Sequence, residues 1–199
     1  MDFTVLKENL IQKGYTVREF DTGAEAADYL DRAIDGKTVG MGGSVTLENM
    51  GMFERLSAHN TAVWHWRSPE DKAVALREAM TAEVYLSSVN GMAETGEIVN
   101  IDGTCNRVSA MLYGHQKVYF VVGENKIAPT EEQAMFRARN IAAPLNAKRL
   151  ARKTPCAVKG DRCYNCNSPE RICNAAVTFW KAPGNGSYEV ILVHEALGF

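Results

Sequence analysis

Short apolar runs alternate along the chain with longer amphipathic segments. The run Val118–Val122 is apolar at nearly every position, which is typical of a strand buried on both faces. Helical patterns of roughly 10 to 15 residues separate most of the predicted strands. This alternation predicts an α/β fold with a Rossmann-like, mainly parallel sheet and helices on both faces. The other predicted strands are Tyr15–Phe20, Thr38–Met41, Ala62–Trp66, Val84–Val89 and Ile98–Ile101.

Several helix ends carry recognisable signals. Thr22 followed by Glu25 is a capping-box pattern and predicts a helix start. The segment Ser68-Pro69-Glu70-Asp71 combines an N-cap residue, a proline at the first helical position and an acidic first turn. A helix predicted over 130–150 must be kinked or interrupted at Pro144.

The last two apolar runs, Ala176–Phe179 and Tyr188–His194, flank the turn-forming residues 183–186. They predict a terminal β-hairpin. The 199 residues suffice for a single domain over 1–199, with a cysteine-rich appendage at about 154–175.

Composition narrows the class of protein. The chain is 46% hydrophobic and 23% charged, which excludes wholesale disorder. No apolar run approaches the roughly 18 residues of a membrane span, and the first residues lack the pattern of a secretion signal. We therefore expect a cytoplasmic protein without membrane contact, in which cysteines stay reduced.

Four of the five cysteines lie within 18 residues, at Cys156, Cys163, Cys166 and Cys173. The spacing is C-x6-C-x2-C-x6-C, and the central pair can present two thiolates from one turn. The pattern predicts a four-thiolate site for zinc or a [4Fe–4S] cluster, although neither the usual zinc-finger spacing nor the ferredoxin spacing is present. The alternative is four thiols that never share a metal.

Charge is distributed unevenly along the chain. Segment 137–171 has nine basic side chains and two acidic ones, a net +7, so a total of −2 leaves −9 for the remaining residues. A cationic segment of this kind would offset the negative charge of a four-thiolate site. A nucleic-acid-binding module with a structural zinc is a lesser alternative, disfavoured because Tyr164 is the one aromatic residue near the cysteine pair.

Ligands of open α/β sheets bind beyond the carboxyl ends of the strands. This rule selects the segments Gly40–Thr46, Asn90–Gly96 and Asp102–Arg107. In the first, glycines permit close backbone approach and the hydroxyls can bind a phosphate or carboxylate. The candidate ligand-binding residues there are Gly40, Gly42, Gly43, Ser44 and Thr46, with a tight packing turn as the alternative.

The other two segments supply the remaining candidates. Asn90, Thr95 and Asn106 are predicted to bind the ligand, and Arg107 can fork onto a carboxylate or phosphate. Glu94 is the candidate catalytic acid, base or nucleophile, unless it caps a helix or pairs with a base such as Arg107.

Cys105 has two interpretations. It is a small core residue, or a reactive thiol if a helix N-terminus lowers its pKa.

These segments, together with Arg139–Asn146, Gly160–Cys163 and Ser168–Cys173, resemble the LUD-domain family, the lactate-utilisation family that was formerly a domain of unknown function. The cysteine-rich tail resembles the short single-domain subgroup. Cys105 stands where we expect glycine in this family.

The resemblance implies a fold of the NagB/RpiA/CoA-transferase-like superfamily. In its sugar-phosphate isomerases, a turn like Gly40–Thr46 holds the phosphate, and in its CoA transferases a glutamate carries the acyl group, a role that would fall to Glu94 here. The family also implies a part in lactate or 2-hydroxy-acid utilisation, with a small anionic ligand or CoA and with iron–sulfur redox partner proteins. Whether the chain is itself an enzyme, and whether it forms a homo-oligomer, both stay open.

Overall fold

The structure is a computed structural model that describes residues 1–68 and 71–199. Strands and helices alternate over most of the chain. In chain order the strands are β1 Thr16–Phe20, β2 Thr38–Met41, β3 Thr61–Trp64, β4 Val84–Ser88, β5 Gly91–Ala93, β6 Ile98–Asp102, β7 Lys117–Gly123, β8 Ile127–Ala128, β9 Ala175–Phe179 and β10 Ser187–Val193. The helices are α1 Thr4–Gln12, α2 Gly23–Ala33, α3 Val45–Asn49, α4 Met52–Ser57, α5 Lys72–Ala79, α6 Asn106–Leu112, α7 Glu131–Arg137, α8 Ala143–Arg149 and α9 Pro155–Lys159.

Six strands form the main sheet in the order β1-β10-β7-β4-β2-β3, and every neighbouring pair is parallel. Along β7, Val118, Phe120 and Val122 face a core shared with α1 and α6. Tyr119 and Val121 face the opposite core, shared with α2, α3 and α4. Helices thus cover both faces, which confirms the predicted Rossmann-like sheet.

A second sheet has the order β8-β5-β6-β9. Its strands β5 and β6 form an antiparallel hairpin, and β9 pairs antiparallel with β6. The segment Asn90–Gly96, selected above as a loop beyond a strand end, is therefore only partly a loop, because Gly91–Ala93 is a strand. The strand predicted at Ile98–Ile101 belongs to this second sheet.

The predicted terminal hairpin is also wrong. Strand β9 lies at an edge of the second sheet, whereas β10 is inserted in parallel between β1 and β7 of the main sheet. Burial explains the separation: Tyr188–Val193 is buried throughout, as a central parallel strand requires, while β9 is mostly partly buried, with one exposed residue and a buried Phe179 at its end.

The helix ends agree with most of the predicted signals. Thr22 and Glu25 form both hydrogen bonds of a capping box at the start of α2. The helix predicted over 130–150 is interrupted as expected, since a π-helical turn at Ala138–Ala142 separates α7 from α8 just before Pro144. Asp71 caps α5 through Val74 N, whereas the signals at Pro69 and Glu70 lie outside the described residues.

The cysteine-rich part has little regular structure. Helix α9 is followed by residues 160–174, which form neither helix nor strand. In the parts of the chain that the structure describes, no helix is long and apolar enough to cross a membrane.

Candidate functional site

A cavity of about 270 Å³ lies at the carboxyl ends of β2, β4 and β7. We call it the edge pocket. It is lined by residues of segments 43–46, 88–90, 101–107 and 142–152 and by Lys126. The structure thus brings together Gly43, Ser44, Thr46, Asn90, Asn106 and Arg107 of the predicted ligand-binding residues.

Most of the charged side chains that line the edge pocket are basic. They are Lys72, Arg107, Lys126, Arg149 and Arg152, and among the described residues Asp102 is the one acidic side chain of the lining.

That carboxylate is already satisfied by the protein. Asp102 Oδ1 accepts hydrogen bonds from the backbone N–H groups of Thr104 and Cys105, at 3.1 and 3.0 Å, and Oδ2 accepts one from Val108 N at 3.3 Å. Oδ2 also lies 3.5 Å from Arg107 Nε. The acid therefore fixes its own loop and leaves most of the positive charge of the pocket uncompensated.

Arg107 is buried, and its guanidinium connects several elements. Nη1 donates to Asn100 Oδ1 at 2.6 Å and to the Ser88 carbonyl at 3.3 Å, while Nη2 donates to Asn90 Oδ1 at 3.1 Å and to the Ile101 carbonyl at 2.7 Å. Burial lowers the pKa of Arg107, and Asp102 opposes that effect. The guanidinium that was predicted to bind a ligand thus donates to protein acceptors, and it stabilises the wall of the pocket.

The glycine-containing segment Gly40–Thr46, called the glycine turn below, has one part that packs beneath the pocket and one part that lines it. A Cβ at Gly40 would lie 2.3 Å from the Ala79 carbonyl oxygen, and one at Gly42 would lie 2.9 Å from Arg107 Cγ. Both positions serve close packing beneath the pocket, as the packing-turn alternative expects for them. Ser44, by contrast, lines the pocket and caps α3 by accepting a hydrogen bond from Leu47 N.

Glu94 and Thr95 lie elsewhere, at the exposed turn between β5 and β6. The Glu94 carbonyl accepts a hydrogen bond from Asn9 Nδ2 of α1 at 2.8 Å, and Thr95 Oγ1 bonds to Glu97. Neither residue lines the edge pocket. The reason is the second sheet, since β5 carries the chain away from the carboxyl edge of the main sheet.

Lys126 is a pocket residue that was not predicted from the sequence. It is only 2% exposed, and Nζ donates to Thr46 Oγ1 at 2.8 Å and to Ser88 Oγ at 2.7 Å. Burial holds its pKa well below the usual range, and the charges of Arg137 and Arg107 add to the effect. The available signal was its position just after the buried run Val118–Val122, at the same sheet edge as the glycine turn.

Arg149 and the aromatic residue Trp66 form part of the pocket mouth. The Arg149 guanidinium carbon lies 4.7 Å from the Trp66 ring centre, and Nε and Nη2 donate to Asn146 Oδ1 at 3.0 and 2.9 Å. Among residues 1–68 and 71–199, no ion pair involves Arg149, Arg152 or Lys126. Arg149 and Arg152 are therefore available to a bound anion.

The four clustered cysteines are all free and partly buried. Burial raises the pKa of Cys173, and Cys163 and Cys166 raise it further, while Arg171 lowers it. Within the described residues, no three Cys, His, Asp or Glu side chains are arranged to hold a metal ion. The four thiols are suitable metal ligands, but they are not arranged around a common metal position.

The cysteine-rich segment is attached to the pocket. Asn174 N donates to the Asp102 carbonyl and Asn174 Nδ2 to the Gly103 carbonyl, each at 2.9 Å, and Ile172 lines the pocket itself. The backbone at Asp102 and Gly103 is therefore hydrogen-bonded to the residue that follows Cys173.

Comparisons with known proteins show which family and which solved structure the chain is similar to. The sequence profile of the LUD domain matches residues 3–193. A solved structure of a DUF162 family protein from Deinococcus radiodurans is similar in fold, with a TM-score of 0.52 and 12% sequence identity over 95% of this chain and 94% of that one. The comparison with curated proteins found no match.

Proposed function

Because the chain belongs to the LUD-domain family, we propose that its edge pocket binds a small anion, a carboxylate or a phosphate, in lactate or 2-hydroxy-acid utilisation. Family membership supports a role related to lactate utilisation at the level of the family. The observation that carries the proposal is the charge of the pocket: Arg149 and Arg152 line it without an ion pair among the described residues, and Asp102, the one acidic side chain of its described lining, is already satisfied by the protein. Guanidinium groups without a carboxylate partner favour an anionic ligand, because they can bind it through charge-assisted hydrogen bonds.

A panel of anions tests this proposal. Lactate, pyruvate, inorganic phosphate and CoA are added separately, with sodium chloride at equal ionic strength as the control, and thermal unfolding is followed. A ligand that binds the folded chain raises its midpoint temperature. We expect one of these anions to raise the midpoint temperature of the wild type and of Arg55→Gln, but not that of Arg149→Gln. Arg55→Gln is the matched control, since Arg55 lies in a surface ion pair with Asp28. Equal effects of all anions and chloride would refute the proposal.

We also propose a metal, zinc or a [4Fe–4S] cluster, at Cys156, Cys163, Cys166 and Cys173. Support comes from four free thiols in one short segment, much of it without regular structure, in a chain whose adjacent residues are strongly basic. Because the described side chains are not arranged as a metal site, binding requires residues 160–174 to rearrange. A cluster would suit electron exchange with iron–sulfur partner proteins in the reducing cytoplasm, whereas zinc would be structural.

Metal analysis of anaerobically purified protein tests this second proposal. About four irons per chain with broad absorbance near roughly 400 nm would indicate a cluster, and one zinc without colour would indicate a structural site. Loss of that metal in Cys163→Ser and its retention in Cys105→Ser would assign it to the cluster of four. Neither iron nor zinc in the purified protein would contradict the proposal.

A further inference from the structure

Lys126 is buried in the wall of the edge pocket without a carboxylate partner. Its nearest hydrogen-bonding groups are the hydroxyls of Thr46 and Ser88, and no ion pair of the described residues includes it. Among the described residues that line the pocket, Asp102 is the one acidic side chain, and it is hydrogen-bonded to its own loop and faces Arg107. The described residues therefore offer Lys126 no carboxylate to balance an ammonium group.

Hydrogen-bond accounting indicates which form of the amine fits. The Ser88 hydroxyl donates to the Val121 carbonyl at 2.6 Å, and the Thr46 hydroxyl donates to the Leu197 carbonyl at 3.1 Å or to Ser88 Oγ at 3.3 Å. Because each hydroxyl donates its single hydrogen to one of these oxygens, the Thr46 and Ser88 hydroxyl oxygens both accept a hydrogen bond from Lys126 Nζ. A neutral amine has two hydrogens for these two acceptors, whereas the third hydrogen of an ammonium finds no acceptor among the described residues.

The neutral form leaves a lone pair on Nζ within the pocket wall. Burial and the nearby guanidinium groups of Arg137 and Arg107 act in the same direction, since they hold the pKa of Lys126 low. A desolvated lysine next to other cations is the form of lysine that acts as a nucleophile toward carbonyl carbon.

We propose that Lys126 forms an imine with a small 2-oxo acid whose carboxylate is bound by the cationic side chains of the edge pocket. This inference rests on the proposed function, because the same pocket must first bind the acid as an anion. The cavity of about 270 Å³ accommodates a small acid, and Arg149 and Arg152 provide the charge for its carboxylate.

The reaction is a condensation without change of oxidation state. The Nζ lone pair forms a bond to the carbonyl carbon, and the electron pair of the C=O π bond goes to oxygen, which takes up a proton. Nitrogen then loses its two hydrogens as the C–O bond breaks, so that amine and ketone give imine and one water. The hydroxyls of Thr46 and Ser88, in hydrogen-bond contact with Nζ, are placed to relay these protons.

Reductive trapping tests the inference. The wild-type chain is incubated with pyruvate and sodium cyanoborohydride, and peptide mass mapping locates any N-(1-carboxyethyl)lysine. Each pKa unit by which a lysine falls raises its neutral fraction about tenfold, so Lys126 should be modified at least about tenfold faster than exposed lysines. Lys181, which is exposed, is the internal comparison.

Lactate provides the matched control ligand, because it has the same carboxylate and no carbonyl to trap. It should protect Lys126 from trapping by pyruvate and leave no adduct itself. Ser88→Ala leaves the amine in place but removes one acceptor of Nζ and one hydroxyl that relays protons. It should therefore slow the trapping. Neither result requires a substitution of Lys126 itself.

Two outcomes would overturn the inference, and they are distinguishable from failure of the proposed function. If pyruvate and lactate bind but Lys126 is not trapped, imine formation is wrong and the anion site stands. If adducts spread over surface lysines at the same rate as Lys126, imine formation at this residue is again wrong. If neither acid binds but phosphate or CoA does, the imine inference alone is wrong, and if no anion of the panel binds, both proposals are wrong.

Discussion

Arg107 Nη1 lies 2.6 Å from Asn100 Oδ1, and this contact joins the helix that follows the pocket loop to the interior of the second sheet. Asn100 is fully buried, and Arg107 is 9% exposed. This guanidinium therefore connects the two sheets, since its other hydrogen bonds reach Ser88 of β4, Asn90 just after it and Ile101 of β6. The shape of the edge pocket depends on this junction.

Replacement of Arg107 should therefore destabilise the fold. Arg107→Gln leaves buried oxygen acceptors unpaired, and we expect a loss of about 3 to 5 kcal/mol in the free energy of unfolding by urea. Arg107→Lys should recover only part of it, because an ammonium cannot reproduce the planar fork. Arg55→Gln, which removes an exposed ion pair, should cost less than about 1 kcal/mol. Similar costs for Arg107→Gln and Arg55→Gln would contradict the role of the junction.

Cys105 has a φ of 64° at the N-cap of α6, a conformation that favours glycine. Cys105→Gly should be more stable than Cys105→Ala by about 1 kcal/mol, since alanine keeps the strain that glycine relieves. Thermal and urea unfolding of the two variants measure the difference. An alanine variant as stable as the glycine variant would show that this backbone position is not strained.

Gly40 should not tolerate a side chain. A Cβ there would lie 2.3 Å from the carbonyl oxygen of Ala79, so Gly40→Ala must push α5 away from β2 and should cost about 1 to 3 kcal/mol in unfolding free energy. Gly184 is the matched control, because a Cβ added there would meet no atom within 4 Å. Gly184→Ala should be neutral within about 0.5 kcal/mol. An equal effect at both positions would contradict the packing of β2 against α5.

His59 gives the fold a dependence on pH. Its ring nitrogens bond to Asp31 and Asp35 at 3.0 and 2.9 Å, and these hydrogen bonds raise its pKa above the ordinary value of 6.5. The protonated ring binds the carboxylates, so its contribution is fully present below the unfolded-state pKa and is lost as pH rises through the raised folded-state pKa. The stability difference between wild type and His59→Gln should thus be larger at about pH 5.5 than at about pH 8.5. Urea unfolding at both pH values checks the sign, and a larger difference at the higher pH would refute it.

Parts of this architecture were predictable from the sequence for local reasons. The capping pair Thr22 and Glu25 acts within one helical turn, and the apolar run Val118–Val122 identifies a central strand by composition alone. Ser44 and Thr46 follow a predicted strand directly, so the rule for sheet edges places them at the pocket.

The remaining features depend on which distant segments meet. The strands β9 and β10 were both predicted, but their partners are set by burial in two different sheets. Glu94 follows β4 closely in sequence, yet the short strand β5 takes it to an exposed turn. Lys126 was missed because a lysine after an apolar strand is ordinarily solvated, and its burial arises from Thr46 and Ser88, which come from other strand ends.

The position of Glu94 separates the anion site from the transferase hypothesis. Because the residue lies outside the edge pocket, Glu94→Gln should leave the dissociation constant for pyruvate unchanged within about twofold, a change below about 0.4 kcal/mol. Isothermal titration of the variant beside wild type measures this. A large loss of pyruvate binding, or of acyl transfer from CoA, on this substitution would show that Glu94 is part of the site.

Titration calorimetry with pyruvate on the wild type and on the double variant Arg149→Gln/Arg152→Gln tests the cationic pocket most directly. Charge-assisted hydrogen bonds contribute about 1.5 to 3 kcal/mol each, so the double variant should bind at least about tenfold more weakly, and the affinity of the wild type should fall as sodium chloride is raised. Equal binding by both proteins, or binding that is indifferent to salt, would contradict the assignment of this pocket to an anion.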